Sequence, residues 1–151
     1  MDAEAQLDGF IDKFTPEVAA LTRNLIEKMK RRVPGATIMV YDNYNSLAIG
    51  FSPDGKPSHA ALSLAVFPRW VTLCFLFGKG LPDPRHLLNG EGSRVRHVRL
   101  HEEAALDDPN ILALIEHAIA RSEPPFDPAT EQELVIKSIS AKQRPRRPAT
   151  G

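Results

Sequence analysis

Hydrophobic positions along the chain recur first at helical spacing and then at alternating spacing. Leu7, Phe10, Ile11 and Phe14 return every three or four residues, and "TPEV" follows, with Thr15 as an N-cap and Pro16 at the first helical position. The pattern predicts two helices joined at Thr15. The second carries Val18, Leu21, Leu25 and Met29 on one stripe and ends before Pro34 and Gly35, which both resist helix continuation. From there the period becomes two. Residues 36–42, 46–51, 60–67, 71–77 and 95–100 read as five strands, and short connections such as "DNYN", "SPDGKP" and "FPRW" favour antiparallel neighbours. Asp83 and Pro84 predict a short helix ending at Asn89 and Gly90. Asp108 and Pro109 open a third main helix that buries Ile111, Leu112, Leu114, Ile115, Ala118 and Ile119. A last helix is expected over 129–139, followed by "KQRPRRPATG", which is too charged and proline-rich to pack.

The expected architecture is therefore α+β: a five-stranded antiparallel sheet with two N-terminal helices and a C-terminal helix packed on it. One domain spans residues 1–140, and 141–151 form a disordered basic tail. Strand parity adds a functional point. Leu47, Ile49 and Phe51, Leu62, Leu64 and Val66, and Leu73 and Phe75 make one bulky face suited to covering helices. The opposite face is smooth, with Ala48, Gly50, Ser63, Ala65, Thr72 and Cys74. Either the last helix covers that face or it is offered to a partner or ligand.

Composition narrows the classes. At 151 residues and 42% hydrophobic content, the chain is sized for one real core. Nineteen basic residues balance nineteen acidic ones, so no global field draws the protein to nucleic acid or an anionic membrane. The single cysteine, Cys74, allows no intrachain disulfide and no cysteine-built metal site, and it reads as a small core residue. The acidic N-terminus is unlike a signal peptide, and no apolar run is long enough to span a bilayer. A cytoplasmic protein without membrane partners is expected.

Candidate chemistry centres on "LLNGEGSRVRHVRLH", which places Arg94, Arg96, His97, Arg99 and His101 within eight positions. With Val98 and Leu100 facing the core, Arg94 and Arg96 share their parity, while His97, Arg99 and His101 point the other way. His97 and His101 then lie about 13 Å apart along the strand, too far to share one metal. The strand also lacks the interleaved aromatics or groove-filling helix that nucleic-acid recognition requires. The preceding "FGKGLPDP" carries Gly78, Lys79 and Gly80, whose backbone N–H groups could face an anion, although the loop is no P-loop. No nucleophile-elbow, zincin or paired-carboxylate motif occurs, so no catalytic residue is assigned. Tyr41, Tyr44 and Trp70 flank the sheet edges, where an aromatic lines a pocket or covers the rim of the core.

"FIDKFTPEVAAL", the strands, and then "FGKGLPDPRHLLNGEGSRVRHVRL" together resemble the YdhG-like family of small bacterial domains, over about Leu7 to Ile119. The resemblance implies an α+β domain related in shape to frataxin, and one branch of the family is described as a frataxin-like iron chaperone. Iron is thus the one candidate cofactor. An acidic ridge of the kind such carriers use has a partial counterpart in Glu4, Asp8 and Asp12, one helical stripe opposite Leu7, Ile11 and Phe14. The leading expectation is a non-catalytic binding domain that carries iron weakly on those carboxylates. The alternative is a domain for a small anionic ligand that uses Lys79, Arg96, His97 and Tyr41 around the smooth face. A third reading is an adaptor that binds protein or nucleic acid through its basic tail.

Overall fold

The computed structural model describes residues 1–149. Helix α1 (Ala3–Ile11) starts where the Asp2 carboxylate accepts the Ala5 N–H at 2.8 Å. Helix α2 (Pro16–Arg32) starts where Thr15 Oγ1 accepts the Val18 N–H at 3.3 Å, with Pro16 at a position whose missing N–H costs nothing. Lys30, Arg31 and Arg32 close α2 at the negative end of its dipole. The chain then turns at Gly35, where φ is +81° and an added Cβ would lie 1.9 Å from the Asp127 carbonyl oxygen. Only glycine permits that approach, which seats the segment around Asp127 against the end of α2.

Five strands follow as an antiparallel meander: β1 (Thr37–Asp42), β2 (Leu47–Ser52), β3 (Leu62–Val66), β4 (Val71–Phe75) and β5 (Arg96–Leu100). Helix α3 (Pro109–Ala120) is capped by Asp108, which accepts the Asn110 N–H at 2.8 Å. Two expected elements differ. Residues 83–89 form no helix: Pro84 and Arg85 make a turn, Asn89 bridges His97, and the Asp83 carboxylate accepts the N–H groups of Leu87 and Leu88 at 2.9 Å instead of capping a helix. The segment expected to be a last helix is strand β6 (Glu133–Ile139), parallel to β1. The sheet therefore has six strands, is mixed, and runs β5-β4-β3-β2-β1-β6.

Register explains which face the helices take. Val40, Ile49, Leu64 and Leu73 stand side by side on four strands, and all are fully buried with Leu25, Ile26 and Met29 of α2 and Leu114 of α3 in one core. Burying each such side chain is worth about 1.5–3 kcal/mol, which the alanines, glycine and serines of the other face cannot match. The smooth face has no helix over it: Ala48, Ser63, Ala65 and Cys74 are half-buried and Arg99 is exposed, although Met39, Gly50 and Thr72 on the same face are buried by their neighbours. The segment expected to cover that face as a helix is β6, at the sheet edge.

The parallel direction of β6 also decides where the C-terminus goes. It leaves the sheet at the end that holds the β1–β2 turn, and the following residues pack there instead of forming a disordered tail. The Ser140 N–H donates to Asp42 O and the Arg144 N–H to Tyr44 O. Arg146 is buried beneath them, with Nη2 2.8 Å from the fully buried Asp42 carboxylate and its guanidinium 5.7 Å from the Phe14 ring. Lys13 pairs with the other Asp42 oxygen at 2.7 Å. The expectation of a tail without an anchor missed this ion pair; Thr150 and Gly151 lie outside the described residues.

Candidate functional site

The acidic stripe on α1 lies where the sequence places it, but α2 neutralises it. Arg23 Nη2 is 2.8 Å from Asp8 and 2.6 Å from Asp12, and Lys30 Nζ is 3.6 Å from Glu4. The bonds to Asp12 and then Asp8 push the Arg23 pKa further up, so it stays cationic. The Arg23 guanidinium thus bridges the Asp8 and Asp12 carboxylates. Among the described residues, no three His, Cys, Asp or Glu side chains converge on a metal-sized site. Glu4, Asp8 and Asp12 are exposed, as expected of a solvent stripe, and each is paired with a cation of α2.

The four residues expected to surround an anion do not meet. Tyr41 on β1 and His97 on β5 share the smooth face but stand four strands apart, roughly 19 Å at about 4.8 Å per step. Tyr41 is half-buried, and that burial pushes its phenol pKa up. His97 sits opposite Cys74, whose thiol is likewise pushed up by burial. Arg96 lies on the other face and braces its own loop, with Nη1 donating to Gly92 O and Val95 O at 2.7 Å. The Gly78–Gly80 loop turns its N–H groups inward: those of Gly78, Lys79 and Leu81 donate to Phe75 O, Arg94 O and Gly78 O. It offers carbonyls outward instead, so it is no anion nest. Gly78 is required there, because an added Cβ would lie 2.7 Å from the Arg96 Cβ.

Those carbonyls organise a different site. At the C-terminal end of α3, Arg121 Nη1 donates to Phe77 O at 3.4 Å and Lys79 O at 3.3 Å, and Nη2 donates to Gly80 O at 3.3 Å. Beneath this clasp is a cavity of about 310 Å³, walled mainly by Ala61, Phe77 and Ala118 and rimmed by Ser58, His59, Arg121, Ser122 and the carboxylate-bearing Glu123. A hollow of about 210 Å³ adjoins it, sharing Ser58 and Phe77 and reaching Arg94. Phe77 divides the two and is 42% exposed, a large apolar side chain left in solvent between two hollows. The Arg94 guanidinium stands 5.6 Å from its ring centroid.

The connection between β2 and β3 holds His59 at this rim. Asp54 Oδ1 accepts the Lys56 N–H at 3.0 Å and bonds the Ser52 hydroxyl at 3.2 Å, while Oδ2 holds His59 Nδ1 at 2.7 Å. Partial burial pushes the Asp54 carboxyl up, but the Lys56 N–H and the His59 ring outweigh it and keep it below the usual carboxylate range. With Nδ1 engaged, Nε2 is the ring nitrogen left for a ligand. Sequence reading missed His59, Phe77 and Arg121. The available signal was "SPDGKPSH", a turn that brings an aspartate and a histidine together, and an aromatic just past the end of β4.

No helix of the described residues is long and apolar enough to cross a membrane. No protein-family model, curated protein or solved structure matches the chain.

Proposed function

We propose that this chain is a binding domain for a small molecule with an apolar body and an anionic head, held in the cavity beside Phe77. The observation that carries the reading is the cavity of about 310 Å³ with apolar walls, whose rim holds His59, Arg121 and one carboxylate, Glu123, with Arg94 at the adjoining hollow, so that the two arginines outnumber the acid. Its size lies at the small end of ligand sites, which run from about 300 to 1,000 Å³, so one compact molecule suits it. Arg121 spends its hydrogen bonds on carbonyl oxygens, leaving its charge without a carboxylate partner, and Arg94 adds a second cation across the Phe77 ring. The YdhG-like resemblance belongs to the same proposal, as a source of fold and not of ligand. Its iron-carrying branch is the weaker reading for this chain, because Asp8 and Asp12 already share Arg23.

Calorimetric titration with octanoate, and with octanol as its neutral counterpart, tests the proposal. Octanoate should bind more tightly than octanol; His59→Ala should narrow the difference and Phe77→Ser should weaken both. Absence of heat from octanoate, octanol binding as tightly as octanoate, or affinities unchanged in both variants would overturn the reading.

A further inference from the structure

The opposite end of the sheet carries a second site with different chemistry. There the β1–β2 turn, the β3–β4 turn and the C-terminal segment meet, because β6 runs parallel to β1 and delivers residues 144–149 between the two hairpin tips. They enclose an open groove of about 860 Å³. Its walls hold three arginines, Arg69, Arg144 and Arg147, and two aromatics, Phe67 and Trp70, with no carboxylate among the described lining residues. In a chain whose net charge is zero, that is a strong local segregation.

The groove is built rather than draped. The segment that forms one wall is fixed by the Arg144 N–H bond to Tyr44 O, by the buried Arg146–Asp42 pair at 2.8 Å and by Arg147 Nε donating to Lys13 O at 3.2 Å. The facing wall is equally ordered. The Phe67 N–H donates to Trp70 O across the turn, and the two rings lie 5.9 Å apart, tilted by 37°. The Arg99 guanidinium stacks 3.9 Å from the Trp70 ring, adding a fourth positive charge at the groove's edge. Arg144 lies 5.8 Å from the Tyr44 ring. None of the three lining arginines is ion-paired among the described residues, whereas Arg146 beside them is.

We infer that this groove binds a nucleotide unit, with phosphate on Arg69, Arg144 and Arg147 and the base against Trp70 and Phe67. Arginine forks match phosphate oxygens, and an aromatic beside them supplies the stacking surface that a base needs and an acidic peptide does not. The volume exceeds that of one compact ligand, so both a free nucleotide and a segment of single strand are sources of the same chemistry. The earlier expectation against nucleic acid looked for interleaved aromatics on β5; here they come from a hairpin tip and the cations from the C-terminal segment.

The protein contains a single tryptophan, Trp70, so its fluorescence reads this groove directly. Four probes are titrated at moderate salt: AMP, inorganic phosphate, a single-stranded octathymidylate and a hexaglutamate peptide. AMP or the oligonucleotide should quench Trp70 and bind more tightly than phosphate or hexaglutamate. The tighter of the two identifies the source. For the oligonucleotide, the logarithm of affinity should fall against the logarithm of salt with a slope of roughly −2, at about 0.7 per phosphate contact. Arg69→Ala and Arg144→Ala should each weaken binding about tenfold, as loss of a charge-assisted hydrogen bond does. Neither arginine side chain is buried, so both variants should melt with the parent. Absence of quenching by AMP and by the oligonucleotide overturns the inference, as does hexaglutamate binding as tightly as either.

Discussion

Replacing Arg146 with methionine removes one half of a buried ion pair and leaves the other half in place. Asp42 is fully buried, the Arg146 side chain is 4% exposed, and they meet at 2.8 Å. Stranding one member of such a pair costs about 3–5 kcal/mol. Lys13 remains within 2.7 Å of Asp42 and is itself 41% exposed, so water and one cation still reach the carboxylate, and the lower figure of about 3 kcal/mol applies. For a domain of this length each kcal/mol shifts the melting temperature by about 2–4 °C, which gives a fall of roughly 6–12 °C. Calorimetric melting at pH 7 of the parent, Arg146→Met, and the double variant Asp42→Asn/Arg146→Met is the assay. The double variant should recover part of the loss, since a neutral pair leaves no stranded charge. A fall of less than about 2 °C in Arg146→Met would refute the anchoring of the C-terminal segment and restore the tail as a solvated appendage.

Burial pushes the Asp42 carboxyl up, but hydrogen bonds from Lys13, Gln143 and Arg146 outweigh it and hold its pKa below the ordinary value. Its contribution to stability should therefore be complete above about pH 4 and fade as pH falls through the depressed value, with the gap between parent and Asp42→Asn closing in acid; a gap independent of pH would contradict this. Gly35→Ala should cost at least about 2 kcal/mol in urea melts, because φ is positive and the new Cβ would collide with Asp127 O; an unchanged midpoint would mean that this contact is not made in solution. Arg23→Gln should release Asp8 and Asp12 and increase the heat of ferrous-iron titration over that of the parent, whereas equal heats would show that Arg23 does not mask them. Because Cys74 is half-buried with its thiol pushed up, its alkylation by iodoacetamide at pH 8 should be at least about tenfold slower than that of free cysteine, and an equal rate would place it in open solvent.

The meander was legible because its strands are local: Leu47, Ile49 and Phe51 alternate with Ala48 and Gly50, and each turn links neighbours that pair. Strand β6 was not. "ELVIKSI" is short and half-polar, fits either period, and finds its partner β1 nearly a hundred residues earlier in the chain. Its β-branched Val135, Ile136 and Ile139 were the neglected signal. Misreading it hid the packed C-terminal segment and left open whether a helix covers the smooth face. Arg146 looked solvated for the ordinary reason that charged residues usually are; only the fold brings Asp42 to it. The candidate site was harder still, since His59, Phe77 and Arg121 come from three separate connections and share no motif.

Amide chemical shifts of the isotopically labelled protein, followed during octanoate titration, test the Phe77 cavity most directly. The expected result is saturable shifts confined to residues 57–61, 76–80 and 118–123, lost in Phe77→Ser. Shifts scattered over the uncovered sheet face, or none in those three segments at saturating octanoate, would contradict it.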